Sequence, residues 1–364
     1  MLCLQAYFIK YMKKVFFLLL LFFSAFASYG QNNKQYKMAI IGFYNLENLF
    51  DTLDDPKIND DEFTPAGSKN YNGDIYKDKL SKLSDVISQI GTDKSPDGIA
   101  ILGVAEVENI SVLNDLVHQT KISKRNYQII HYDSKDFRGI DVGLLYNPKY
   151  FKPEASDKLF VQLPGGSKDA YYTRDILWVK GKLDGEVIYI YVNHWPSRSG
   201  GEERSAPARE AAAQVCRNHM DSILRKEPNA KFILMGDLND DPINVSVAGV
   251  INAKGRLKDV KPGGMFNPWT DIYKKGFGTL AYQDAWGLFD QILISYPWLS
   301  KNQDGFFFYQ QQIFKKEYMI ENIGRYRGYP MRTWDGNRYR GGYSDHFPTY
   351  IVLLKQLKEV KKGF

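Results

Sequence analysis

"KFILMGDLNDDP", Lys231–Pro242, packs four apolar residues and a glycine directly against Asp237, Asn239, Asp240 and Asp241 before a proline stops the chain. A short apolar run bounded by turn residues reads as a buried strand, and the acids that follow fall where the strand leaves the core. Alone, the polar tail reads equally as a helix N-cap or a plain loop. The decision comes from whether other strands end in the same way.

They do. Asn45 and Glu47 follow "MAIIGFY", Glu106 follows "IAILGVA", and Asn193 and His194 follow "VIYIYV". Asp290 sits inside "LFDQILIS", and Asp345 and His346 precede the last strand, "FPTYIVLL". Strand ends are where a rigid scaffold presents side chains to solvent, so these residues could share one rim. Carboxylates and carboxamides in that position are hard oxygen donors, suited to Mg²⁺ or Mn²⁺. Asp290, between Phe289 and Ile292–Leu293, is the hardest to leave on the surface. A buried carboxylate needs a partner, and a histidine is a natural one. Glu106 beside Glu108 reads alternatively as a solvated face. His118 and His219 lie in helical stretches as surface or packed residues, and His131 follows a strand with no acid motif framing it.

Between these points the chain alternates strands with amphipathic helices. "IYKDKLSKLSDVISQI" and "ISVLNDLVHQ" are helical by their three- and four-residue apolar spacing, and "YQIIHYD" and "DVGLLYNP" are strands. "DILWVKGKL" and "EVIYIYVNHWP" flank Asp184-Gly185, a two-residue hairpin signal. "GGEERSAPAREAAAQVCRNHMDSIL" reads as a long helix with Pro207 in its first turn, and residues 296–342 read as irregular. Strands outnumber helices and the hairpin favours antiparallel pairing. The expected fold is a four-layer α/β sandwich, two packed mainly antiparallel sheets flanked by helices.

The first 30 residues are a different text. Lys10, Lys13 and Lys14 precede "VFFLLLLFFSAFA" and then small residues up to Gly30. A basic start, a short apolar run and a small-residue cleavage site predict a signal peptide over 1–30 and an exported protein, periplasmic or secreted. A single domain over 31–364 is expected to follow. Loss of the leader removes three lysines and no acid, so the net charge falls from +6 to +3. That is too mild to argue for nucleic acid by itself. No membrane span is expected in the mature chain, whose one cysteine, Cys216, excludes an internal disulfide. No heptad or apolar stripe argues for an oligomer, so a monomer is expected.

The ordered series "FYNLEN", "VAEVEN", "NHWPSRSGG", "GDLNDDP", "FDQILIS" and "YSDHFP" resembles the endonuclease/exonuclease/phosphatase superfamily over about residues 38 to 354. The resemblance implies a metal-assisted attack of water on a phosphoester. It implies Asn45 and Glu106 as the metal-binding pair, Glu106 being the main Mg²⁺ (or Mn²⁺) ligand, and Asp345 as a second metal ligand. His346 is implied as the catalytic histidine, Asp290 as its carboxylate, Asp237 and Asn239 as the pair orienting water and a phosphate oxygen, and His194 as a phosphate binder. The role of Glu47 is open, and so is the choice of general base between Asp237 and His346.

Arg198 reads as a phosphate clamp or, equally, as a solvated loop arginine; Arg138 beside Asp141 could lie on the same rim. "RYRGYPMRTWDGNRYRGGY", residues 325–343, interleaves five arginines with aromatics directly before Asp345. That pattern suits an oligonucleotide or another phosphorylated ligand, or else packs as a long surface loop. A nuclease with DNA or RNA as substrate is the first expectation. A phosphatase or lipid phosphodiesterase on a small phosphoester is the alternative, and a non-catalytic binding protein the third.

Overall fold

Tyr36–Leu49 forms a long first strand whose side chains alternate between two environments. Ile41 and Phe43 enter one core cluster, while Ile40 and Tyr44 enter another on the opposite face. That period of two is the signature of a strand buried on both sides. The computed structural model describes residues 11–12, 35–165, 172–301 and 304–357. Lys37–Lys355 form one compact unit. The expected leader lies outside the described residues except for Tyr11 and Met12. Among the described residues no helix is long and apolar enough to cross a membrane.

Among these residues the strands run in chain order as β1 Tyr36–Leu49, β2 Ile101–Val107, β3 Gln128–His131, β4 Asp141–Tyr146, β5 Phe151–Leu159 and β6 Ile176–Leu183. There follow β7 Glu186–His194, β8 Phe232–Asp237, β9 Ala253–Lys254, β10 Met265–Phe266, β11 Leu280–Tyr282 and β12 Ala285–Gly287. The last are β13 Asp290–Ser295, β14 Phe307–Ile313, β15 Trp334–Asp335, β16 Arg338–Tyr339 and β17 Thr349–Gln356. One large sheet has the order β14-β17-β1-β2-β4-β3, the other β5-β6-β7-β8-β13-β10-β9. Antiparallel pairs predominate; β1-β2, β7-β8 and β9-β10 are parallel.

The two sheets meet face to face. Ile41, Phe43, Ile101 and Leu144 of the first share a cluster with Val179, Ile190, Ile233 and Ile292 of the second. A Cβ on Gly103 would stand 2.5 Å from Met235 Sδ and 3.1 Å from Val192 Cγ1, so this glycine lets the sheets close. On the outer face of the first sheet pack the helices Gly73–Gln89 and Ile110–Val117, through Leu83, Val86, Leu113 and Leu116. Asn72 and Asn109 cap them, each side chain accepting two backbone N–H groups, worth about 1 kcal/mol apiece. The helix Glu202–Leu224 covers the second sheet, with Ala212, Ala213, Cys216 and Met220 against Tyr191, Phe232 and Leu234. The order is helix, sheet, sheet, helix: the expected α/β sandwich.

The Asp184-Gly185 hairpin joins β6 to β7 as read, with both central residues left-handed (φ 48° and 86°) and Leu183 opposite Glu186. Two local expectations need correction, and one strand lies outside them. Pro207 is the sixth helical residue, beyond the first turn. Residues 296–342 are not all irregular, since β14 lies among them and pairs with β17. β5 had no place in the sequence reading; it is an edge strand with Pro153 inside and mostly exposed side chains, so no apolar alternation marks it.

Candidate active site

Register places three of the expected residues in a row. His194 on β7 stands opposite Asp237 on β8, and Asp237 stands opposite Asp290 on β13. The glycine of "GDLN" follows from the same geometry. A Cβ on Gly236 would come within 2.3 Å of the Asn193 carbonyl oxygen, so the approach of β7 to β8 at this level needs glycine. The first sheet supplies the facing half. Asn45 lies near the end of β1 opposite Ala105, and Glu106 follows at a bulge where its own φ is 61°. Such bulges re-aim a side chain at a sheet edge. Asp345 and His346 arrive just before β17.

His346 Nδ1–H donates to Asp290 Oδ2 at 2.7 Å. Both residues are buried, Asp290 completely, and Asp290 Oδ1 has no other partner. This is the pairing that the apolar flanks of Asp290 required. The other ring nitrogen, Nε2, lies 3.9 Å from both Asp237 Oδ2 and Asp345 Oδ1. Burial alone would lower the affinity of His346 for its proton, but the Asp290 charge and hydrogen bond, with Asp237 and Asp345 behind, hold its pKa well above the usual imidazole value. Ser344 fixes the approach: its hydroxyl donates to the Asn45 carbonyl at 2.8 Å and accepts the His346 N–H at 3.1 Å.

Asp237 Oδ1 accepts the Asn239 N–H at 3.0 Å and Oδ2 accepts from Asn45 Nδ2 at 3.0 Å. Burial, with the Asp290 and Glu106 charges added, pushes its pKa up to about 7 against the opposing pull of His346. Asn45 Nδ2 also reaches Glu106 Oε1 at 3.3 Å, while Asn45 Oδ1 accepts the Glu47 N–H. Asn45 therefore holds the two carboxylates through its amide nitrogen and has its oxygen turned to the backbone. Glu106 Oε2 accepts the Asn48 N–H at 2.9 Å, and its side chain stays partly open to solvent. Donor atoms of Asp237, Asp290 and His346 lie within 4.8 Å of one another, yet Asp290 and His346 are spent on each other. The donors facing the mouth are the carboxylates of Glu106, Asp237 and Asp345. A cluster of acids whose member Asp237 is driven toward neutrality by burial and by its neighbours is short of positive charge, and hard oxygen donors of this kind fit a divalent cation.

His194 Nε2 lies 3.8 Å from both Glu106 Oε1 and Asp237 Oδ2, and its buried Nδ1 has no hydrogen-bond partner. Burial, then the Arg174, Arg138 and His346 charges, keeps its pKa well below the usual value, so it is a neutral imidazole. Arg138, half exposed, touches Asp136 and contributes from a distance. Asn239 holds a left-handed φ of 48° and is tied by Nδ2 to the Trp195 carbonyl. Arg198 departs from the clamp reading. Its Nε donates to the Asn239 carbonyl, Nη1 to Glu202, and Nη2 to Asp240, Asp241 and Asn244, over the Phe289 ring. With its donors committed to the chain's own oxygens, Arg198 braces the loop after β8 instead of waiting for phosphate. Glu106 and Glu108 do not form a solvated face either, since Glu108 is buried on the Asp51 N–H and raised to about 7 by burial and neighbouring acids.

The sequence profile of the Endonuclease/Exonuclease/phosphatase family matches residues 40–355. The chain belongs to that family. No curated protein matches its sequence. Among solved structures it is similar to an endonuclease/exonuclease/phosphatase family protein from Bacteroides thetaiotaomicron, with 19% identity, a TM-score of 0.55, and coverage of 89% of this chain and 100% of that one. It is also similar to a Bacteroides thetaiotaomicron mannosyl-6-phosphatase, with 18% identity, a TM-score of 0.53, and coverage of 86% and 99%. D. rerio TDP2 complexed with a single-strand DNA product gives 15% identity, a TM-score of 0.51, and coverage of 87% and 99%.

This family member carries three site-supporting residues that sequence reasoning missed. Arg174, almost fully buried, holds the His194 and Trp195 carbonyls and pairs with Asp136 at 3.1 Å. Lys79, also buried, donates to Thr333 Oγ1 at 2.9 Å near Glu47. Arg332 pairs with Asp345 at 3.0 Å. Glu47 accepts the Thr333 and Trp334 N–H groups, tying the arginine-rich segment to the end of β1; burial and Asp345 raise its pKa to about 7 against Lys79. Charged residues read as surface by default, so only "YKDKL" placing Lys79 one residue before Leu80 on the apolar stripe hinted at burial. The 325–343 segment divides accordingly. Trp334 packs with Phe63 and Tyr71, Arg340 pairs with Glu321, and Arg325, Arg327 and Arg338 are exposed.

Proposed function

We propose that this chain is an exported phosphoesterase dependent on a divalent metal, and that it hydrolyses phosphodiester bonds as a nuclease. One observation supports the reading: the His346–Asp290 hydrogen bond leaves Nε2 free, 3.9 Å from both Asp237 Oδ2 and Asp345 Oδ1. Glu106 and Asp345 would hold the ion, with Asn45 steadying the Glu106 carboxylate; the ion supplies charge neutralisation at the phosphate and leaving oxygens. Asp237 and Asn239 orient the attacking water, and Asp237, poised near neutrality, can take its proton. His346, held protonated by Asp290, presents an N–H to a phosphate oxygen or the leaving oxygen. His194 is neutral and faces the same acids, so it serves as a hydrogen-bond partner to phosphate. Export is supported by the basic and apolar leader, and N-terminal sequencing of the mature protein near Gln31 tests it.

For a polymer, two clefts carry residues that neighbour the site residues in the chain. One of about 730 Å³ includes Glu108, Asp136 and Tyr172, and one of about 670 Å³ continues past Tyr172 to Pro196 and Ser197, just after His194. The similarity to TDP2, whose complex holds single-strand DNA product, fits that reading. A second reading, a phosphatase for a small phosphoester, is supported by a pocket of about 160 Å³ at Asp345, lined by Arg325, Arg332, Tyr326 and Tyr329. Its size suits one ring, and the similarity to a mannosyl-6-phosphatase accords with it. Assay of the protein with Mg²⁺ or Mn²⁺ on DNA, RNA and sugar phosphates separates the two. Turnover of a nucleic acid supports the first, turnover of the monoester alone the second, and none with either ion removes both.

A further inference from the structure

We propose a second metal site, separate from the phosphoesterase centre, built by His131, Asp141 and Asp133 for a borderline divalent ion such as Zn²⁺. His131 ends β3 and Asp141 opens the neighbouring strand β4, so the sheet itself brings them together. Their Nε2 and Oδ2 atoms are 3.4 Å apart, and Asp133 Oδ1 lies 3.7 Å from His131 Nδ1. One donor atom from each of the three falls within 4.8 Å of the others. The His131 side chain is 2% exposed, and its Nε2 has no hydrogen-bond partner. Asp141 is equally hidden, with Oδ1 committed to the Ser134 N–H at 2.8 Å and Oδ2 left toward the imidazole.

A buried imidazole nitrogen without a partner is costly, and a direct charge-assisted bond to Asp141 would close to about 2.8 Å. The observed 3.4 Å instead matches the spacing of two donors on one ion, about 3.4 Å for bonds near 2.1 Å at tetrahedral angles. Asp133 stands on the Nδ1 side of the ring and is 85% exposed, so it rotates toward Nε2 to become the third donor, with water as the fourth. The cleft of about 730 Å³ opens onto Asp133 and Asp141 and carries five carboxylates against two lysines, an entry path of the right charge. An imidazole with two carboxylates favours Zn²⁺ or its neighbours over Mg²⁺. The bound ion would pin the loop between β3 and β4. That loop carries Asp136, which holds Arg174, which in turn holds the His194 carbonyl.

Zinc titration by calorimetry tests this on the full chain with Glu106→Gln and Asp237→Asn, which removes donors of the phosphoesterase centre. The expectation is one remaining equivalent of Zn²⁺ and a rise in melting temperature on adding it. His131→Ala in that background should abolish both, and Asp133→Asn should weaken binding at least about tenfold. No Zn²⁺ bound by the background chain overturns the site, as does unchanged binding in His131→Ala. If His131→Ala does not fold, as judged by circular dichroism, the exposed Asp133→Asn decides, and unchanged affinity there overturns it. Metal counting is indifferent to whether the chain cleaves any phosphoester, so its failure and that of the proposed activity are separable.

Discussion

Two of the histidine–aspartate pairs near strand ends, His346–Asp290 and His131–Asp141, differ by less than an ångström in spacing. His346 and Asp290 are 2.7 Å apart and hydrogen-bonded. His131 and Asp141 are 3.4 Å apart, and His131 Nε2 is without a hydrogen-bond partner. The first pair has closed on itself, so its free nitrogen is available for proton chemistry at the mouth. The second stands at the spacing of two donors bound to one ion. Residue type is the same in both, although the first pair spans the two sheets and the second joins neighbouring strands; what separates them is whether each polar atom already has a partner.

The most severe way to break this contrast is to remove the closed pair. His346→Ala should lower kcat on the active substrate by at least about 10³-fold while circular dichroism shows the fold retained, with a lower melting temperature because the buried Asp290 loses its partner. Full activity in that variant would sink the assignment of the site. Asp290→Asn is the finer cut. It keeps shape and burial but removes the charge that holds His346 protonated, so kcat should fall by about 10²-fold with KM little changed. The pH profile gives the sign. The Asp290 charge raises the His346 pKa, so without it the protonated form is lost at lower pH, and the alkaline limb of activity should move down.

How much of this was legible depended on the signal each residue left. His194, Asp237 and Asp290 were readable because each interrupts an apolar strand, and register then sets them side by side. Glu106 was readable by position, although its left-handed φ at a bulge was not. His131 carries no recognisable acid motif in the sequence around it. Asp133 and Asp141 do frame it, but Asp141 is brought back by the turn between β3 and β4, which spacing along the chain does not reveal. Arg174 and Lys79 were invisible for a different reason: a charged side chain reads as surface, and only tertiary partners make it a buried brace. The edge strands β5 and β14 lacked the alternation that betrays inner strands.

Arginines obey the same criterion as the histidines. Arg198, in a motif that suggested phosphate, has committed its donors to Asn239, Glu202, Asp240, Asp241 and Asn244. Arg198→Ala should therefore cost about 1.5 kcal/mol in chemical denaturation through the loss of the loop brace, discounted because its side chain is 23% exposed. Its KM should follow only as the Asn239 loop loosens. A KM rise above tenfold with unchanged stability would restore the phosphate-clamp reading.

Arg325 is the opposite case and gives the smallest expected effect. It is exposed, lies over the Tyr326 ring at 5.7 Å, and lines the small pocket beside Asp345. An exposed charge meeting one substrate phosphate is worth roughly 0.5–1 kcal/mol, so Arg325→Ala should raise KM about two- to fivefold and leave kcat unchanged. The rise should shrink as salt is added, because the interaction is screened within about 10 Å at 0.1 M. Oligonucleotides of increasing length sharpen the outcome. If the segment tracks a polymer, the penalty should grow with length until the strand spans the pocket and then level off. If the pocket holds one ring of a small phosphoester, the penalty should be present at full size with the shortest substrate and independent of length.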